Sequence, residues 1–322
     1  MKKSTMGWLI AAAVLVTLGM GIFVGVLRAC GRSTSGLSTE KYNTATYEIT
    51  ETFHSIRINT DTADVLFVLS GDGKCKVECY EPENAKHTVK VQTGQLMVEP
   101  ADEKEWYDHI GIYTETPKIT VYLPEAEYAS LFLLTETGDL EIPEGFLFEN
   151  VEIAAGTGDV TFAASAHKTI NIRVSTGDIR LENVSAGFLE LSASTGRITV
   201  SDVTCAGDAK ISESTGKSSF RNLRCQNLSV IASTGDVFLE SVIAVGKISI
   251  EANTSDIRFE GSDASEMTVK TTTGDIRGSL LTEKTFVTQT DTGSVDVPHT
   301  SGGGRCELTT DTGDIEITLS QN

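Results

Sequence analysis

Residues 175–200 read STGDIRLENVSAGFLELSASTGRITV, and two corner triplets, Thr176-Gly177-Asp178 and Thr195-Gly196-Arg197, stand 19 residues apart within them. After the first corner, Ile179 and Leu181 alternate with Arg180 and Glu182; before the second, Leu189 and Leu191 alternate with Glu190 and Ser192. A period of two marks strands with one face buried.

The unit recurs in both directions, with Thr-Gly pairs at Thr137-Gly138, Thr157-Gly158, Thr215-Gly216, Thr234-Gly235, Thr273-Gly274, Thr292-Gly293 and Thr312-Gly313, a Thr254-Ser255 variant, and spacings of 19 or 20 residues throughout. Aliphatic columns run through the repeats, such as Val160, Ile179, Ile198, Val237, Ile257, Ile276 and Ile315 three residues after the Thr. A unit of ~19 residues with two half-buried strands cannot enclose a core alone, so successive coils must stack like strand on like strand. The fold class is all-β: a single-stack parallel β-solenoid of about 19–20 residues and two strands per coil. Glycine supplies positive φ at the corner and the following Asp can bond nearby backbone amides. Strand parity points the corner Thr inward, where its hydroxyl would satisfy a buried turn amide.

Outside the repeats the chain divides into a basic flank 1–5, an uncharged apolar run 6–27, a tether 28–40, an irregular β region 41–136 that reads as the solenoid cap, and the regular repeats 137–322. The run 6–27 is long enough to cross a membrane, since ~20 helical residues span a bilayer core. It is an uncleaved single-pass anchor, a cleaved signal or, through Leu27-Arg28-Ala29-Cys30, a lipoprotein attachment; each places the body extracellularly, with the anchor putting it on the cell membrane. In the irregular region Thr60–Val65 and Thr93–Leu96 read as degenerate corners, and Ser70–Lys74 as a hairpin turn. The chain stops soon after its last corner, with no equally distinct C-terminal cap and an open edge.

The chain carries 26 Lys and Arg against 45 Asp and Glu, a net charge of −19. The first 32 residues hold Lys2, Lys3, Arg28, Arg32 and no acid, leaving 22 basic against 45 acidic residues, or −23, for the body. Such a body repels phosphate backbones and excludes nucleic acid as a partner.

The strand Pro117–Pro124, then Tyr128-Ala129-Ser130-Leu131, then Thr137-Gly138-Asp139-Leu140-Glu141-Ile142 leading into the repeats, resembles the putative-adhesin family of bacterial envelope β-strand-repeat proteins, over roughly residues 45–320. The resemblance implies a β-solenoid at a bacterial surface, often associated with envelope-stress operons, and a family with no established active site.

Two residues after each repeat Thr stand Asp139, Asp159, Asp178, Arg197, Lys217, Asp236, Asp256, Asp275, Ser294 and Asp314. This ladder reads as turn structure, a weak Ca²⁺ site (Asp139, Asp159, Asp178) or a polymer-binding strip; a Ca²⁺ ion needs six to eight oxygens and each corner offers one carboxylate. Cys205 and Cys225 fall ten residues after their Thr and would stack on adjacent coils as a disulfide or as apolar fillers. Cys75 and Cys79 on one strand are too far apart to pair, and Cys306 reads as a buried thiol. Trp106, Tyr107 and Tyr113 read as a docking spot or as closure of the solenoid end.

His54, His87, His109, His167 and His299 show no metal-ligand spacing, and no hydrolase, P-loop or zinc motif occurs, so no cofactor is expected. The pairs Asp178/Arg180, Asp256/Arg258 and Asp275/Arg277 are the groups a glycan-active β-helix enzyme would use, but they recur by register. Thr271/Thr273, Thr290/Thr292 and Thr310/Thr312 suggest an ice-binding array, which the inward parity opposes. The sequence thus points to a non-catalytic, envelope-anchored binding or scaffolding module, adhesin-like, contacting wall polymer or a membrane protein. The alternatives are an accessory of envelope-stress signalling with a membrane protein partner and, third, a glycan-active enzyme; the oligomeric state is not set by these residues.

Overall fold

The computed structural model describes residues 16–21, 25, 41–101, 115–300 and 302–320. The segment 6–27 lies largely outside these, and Trp106, Tyr107 and Tyr113 wholly so; residues 16–21 are helical. Among the described residues no helix is long and apolar enough to cross a membrane.

The body is a parallel β-solenoid. Each corner Thr pairs with the next: Thr137 with Thr157, Thr157 with Thr176, Thr176 with Thr195, Thr195 with Thr215, Thr215 with Thr234, Thr234 with Thr254 and Thr254 with Thr273. Inward positions form columns such as Ile153, Ile172, Leu191, Ile211, Val230, Ile250 and Val269, all buried. Each such side chain contributes about 1.5–3 kcal/mol of burial.

The corners differ from the parity expectation. Thr137, Thr157, Thr176, Thr195, Thr215, Thr234, Thr254, Thr273 and Thr312 are exposed, because the chain turns at the Thr and leaves two consecutive side chains facing out. The inward hydroxyl belongs to the residue two positions earlier where that is Thr: Thr271 donates to the Ser255 carbonyl (3.1 Å) and Thr310 to that of Gly274 (3.0 Å). The glycines are held by stacking. A Cβ on Gly196, whose φ is +141°, would lie 1.9 Å from the Gly177 carbonyl oxygen of the coil below. Gly196→Ala is therefore expected to destabilise the body by about 2–4 kcal/mol, read as a lower denaturant midpoint.

A second corner went unread in the sequence. Asn183, Asp202, Asn222 and Ser241 take left-handed φ of 57°, 57°, 52° and 55°, and Gly261 continues the column at φ +57°. Asn and Asp tolerate this region better than other L residues. After it comes a short third ladder, Ser185–Ala186 on Thr204–Cys205 and Arg224–Cys225 on Ile243–Ala244.

At the C-terminal end, stacking departs from chain order. The strand 304–312 pairs on one side with 267–273 (Thr273 with Thr312) and on the other with 284–292 (Thr292 with Thr312). The last coil is thus inserted beneath the preceding one, which forms the outer end. Burial explains the exchange. Both coils carry an inward Thr at the same position, Thr310 and Thr290, but the inserted coil brings Cys306, Leu308, Ile315 and Ile317, all buried, whereas the outer coil sets Thr288 opposite Leu308 and leaves Val295 44% exposed. A terminal coil loses one stacking partner, so the more polar coil belongs there. The crossing is held by a buried ion pair of Lys284 with Asp263 (2.5 Å) and by Gly304, packed against the Ser265 carbonyl.

At the other end, strand 55–62 stacks beneath 127–137 (Thr62 with Thr137), and 64–69 lies between 118–123 and 140–142. Beyond these the pairing turns antiparallel: 87–92 on 95–100, and 75–82 between 118–123 and 42–49. Thr93-Gly94 is not a solenoid corner but the two-residue turn of the 87–100 hairpin, with φ of 49° and 73°. Ser70–Lys74 does turn the chain, Asp72 accepting from the Lys74 amide (3.1 Å), but strands 64–69 and 75–82 do not pair, because 118–123 separates them.

Candidate functional site

The aspartate ladder is the most regular polar feature of the rod. Oδ1 of each Asp accepts the backbone amide of the equivalent residue one coil on: Asp64 from Asp139 (2.9 Å), Asp139 from Asp159 (2.8 Å), Asp159 from Asp178 (2.8 Å) and Asp178 from Arg197 (2.7 Å). The pattern resumes with Asp236 to Asp256 (3.4 Å), Asp256 to Asp275 (2.9 Å), Asp275 to Asp314 (2.8 Å) and Asp314 to Ser294 (2.8 Å), following the inverted coil order. One carboxylate oxygen per corner is structural. Oδ2 is turned to other contacts: Arg197 approaches that of Asp178 (3.7 Å), and Arg277 bridges those of Asp275 (3.0 Å) and Asp314 (3.1 Å). The Ser294 and Arg277 bonds hold the Asp314 carboxyl below the usual carboxylate range.

No group of three or more His, Cys, Asp or Glu among the described residues is placed to hold a metal ion. Since one oxygen of each ladder carboxylate is already bonded, Ca²⁺ is expected to leave the thermal midpoint unchanged in a melt with and without the ion.

The other sequence candidates fall into place around the ladder. Asp178 pairs with Arg197 on the next coil, Arg258 lies over the Phe238 ring at 5.9 Å, and only Asp275/Arg277 forms an ion pair within its own coil. Cys205 and Cys225 occupy successive coils and, like Cys75, Cys79 and Cys306, are buried free thiols, the arrangement of the filler alternative. Burial pushes Cys75, Cys79, Cys225 and Cys306 up to about 12, so these thiols are poor nucleophiles. Thr271 and Thr310 of the supposed ice-binding array are buried.

Two arrangements in the N-terminal part carried no sequence signal. Thr60 Oγ1 lies 2.9 Å from His87 Nε2, and His87 Nδ1 lies 2.7 Å from Glu81 Oε2, which also accepts the His87 amide (2.9 Å). The order hydroxyl, imidazole, carboxylate is that of a nucleophilic triad, but Thr60 is 1% exposed and Glu81 3%. No substrate reaches such a hydroxyl, and the network ties strands 55–62, 75–82 and 87–92 together inside the cap. The second is a surface groove of about 570 Å³ whose lining includes Ile49, Phe53, Pro124 and Tyr128, with Glu48, Glu51, Glu127 and Lys74. Phe53 stacks on Tyr128 at 6.0 Å. These residues come from separate strands, so only the fold brings them together.

A rod of stacked coils with an ordered carboxylate edge defines a parallel β-solenoid repeat protein. The Toastrack DUF4097 family profile matches residues 53–215 and 207–322, and the chain belongs to that family. Among solved structures it is similar to a putative lipid binding protein from Parabacteroides distasonis ATCC 8503 (16% identity, 86% of this chain and 97% of that one, TM-score 0.52). It is also similar to a putative adhesin from Bacteroides fragilis NCTC 9343 (14% identity, 87% and 98% coverage, TM-score 0.43). No curated protein matches significantly.

Proposed function

We propose that this protein is a non-catalytic binding or scaffolding module of the cell envelope, held at the membrane by residues 6–27 and presenting the acidic rod outside. The observation that carries the reading is the in-register ladder, whose two acidic runs, Asp139 to Asp178 and Asp236 to Asp314, lie along one edge on either side of Arg197 and Lys217. A repeated edge suits an extended partner better than a small substrate, and its sign favours a polymer or protein surface with cationic or neutral groups. The uncharged apolar run 6–27, long enough in sequence to cross a bilayer core, supports the anchor.

The test is retention of the full chain on separated wall and membrane fractions, compared with the triple variant D139N/D159N/D178N. Asn keeps an oxygen to accept the next coil's amide, so the variant removes charge while retaining the corner. Retention on wall polymer, lost in the variant at an unchanged melting temperature, is expected. Capture of a membrane protein without wall retention would instead make this a signalling accessory, and soluble saccharide products would make it an enzyme.

A further inference from the structure

We propose that the outer edge of strand 284–292 docks a second copy of this chain, antiparallel, about a two-fold axis through Thr288. Among the described residues this strand pairs in a ladder with 304–312 alone, the Lys284 carbonyl at its start also accepting from the Thr300 hydroxyl. The coil it opens leaves Val287 43% and Val295 44% exposed, and Phe286 and Val297 only partly covered. Natural sheets protect such an edge with charges, yet residues 285–290 (TFVTQT) carry none.

The occupant follows from reach, charge and register. The final strand, 315–319, lies on 276–280 and the Ser320 amide bonds the Leu280 carbonyl, so this part of the chain is committed to the inserted coil and not to the outer edge. Residues 102–114 are bracketed by Ala101, bonded to Lys86, and Glu115, bonded to Tyr42, both at the opposite end of the rod. Going out and back they extend at most ~22 Å, against a stack of roughly 45 Å. Two copies with a net charge of −19 repel along their lengths, but the coil 284–297 holds only Lys284, Asp291 and Asp296, so this end is where like copies approach at least cost. The antiparallel register about Thr288 sets Phe286 against Thr290, Val287 against Gln289 and Thr285 against Asp291, with no like charges opposed. The edge is therefore self-complementary, as an isologous interface requires.

The full chain in mild detergent is followed by sedimentation velocity across a wide concentration range, alongside V287K/Q289K and T288C. Positions 287 and 289 are exposed, so the lysines leave the protomer folded, checked by an unchanged melt, while opposing like charges across the axis. The expected result is a concentration-dependent dimer, weakened at least tenfold in V287K/Q289K, and a covalent dimer of T288C on mild oxidation. A wild-type chain that stays monomeric, a dimer unaffected by the lysines, or a T288C dimer that fails to crosslink would each overturn the proposal.

Discussion

Glu213→Gln is expected to remove a stability loss that the wild-type body suffers between acid and neutral pH. Glu213 occupies an inward position between Ala193 and Ala232, is 1% exposed, and neither carboxylate oxygen has a hydrogen-bond partner. Burial pushes its pKa up to about 7. The folded state therefore holds the proton over a range in which the unfolded chain, titrating near 4.5, has released it. A raised carboxyl pKa means that the folded state binds more protons in this window, so stability falls as pH rises from about 4.5 and the loss is complete above about 7. A shift of that size corresponds to about 3 kcal/mol. Gln keeps the volume without the charge, so the stability difference between variant and wild type should grow by about 2.5 kcal/mol from pH 5 to pH 8, the rest of the loss falling below pH 5, measured by denaturant titration. An unchanged difference would mean that the carboxylate finds water or a cation in the folded state.

The second large effect concerns the exchanged coils. Ile315 is 1% exposed, pairs with Ile276 on one side and Val295 on the other, and its replacement by Ala should cost about 2–5 kcal/mol. Val295, at the outer end and 44% exposed, should cost under about 1 kcal/mol when replaced by Ala. If the coils stacked in chain order the two costs would be reversed, because the coil with Val295 would then be internal. Paired chemical denaturation of the two variants separates the cases.

The sequence carried the repeat period, the parallel stacking and the inward columns, since each is written in local alternation around the Thr-Gly corners. The corner hydroxyls do not follow strand parity, because the turn at each Thr breaks the period of two. The second corner was visible in Asn183, Asp202 and Asn222, each seven residues after its Thr, but isolated left-handed residues disturb no hydrophobic pattern. The coil inversion had a weaker trace, Thr288 where the neighbouring coils have Val269 and Leu308, whose meaning depends on a competition between two coils of equal register. The Thr60–His87–Glu81 network and the groove at Phe53 and Tyr128 join residues distant in the chain, and no spacing rule finds them. The ladder was legible as a column; that each carboxylate binds the next coil's amide became apparent only from the stacked backbone.

The stacking order underlies the end of the rod, the Arg277 bridge and the docking edge, and cysteine pairs at the exposed corners test it directly. Parallel in-register neighbours lie ~5 Å apart between Cα atoms, within disulfide range, whereas residues two coils apart lie ~10 Å apart and out of range. Mild oxidation of the full chain, followed by peptide mapping, should join the introduced cysteines in T273C/T312C and in T292C/T312C and leave those in T273C/T292C unjoined. Efficient crosslinking in T273C/T292C, with none in T273C/T312C, would show that the coils stack in chain order and contradict the account.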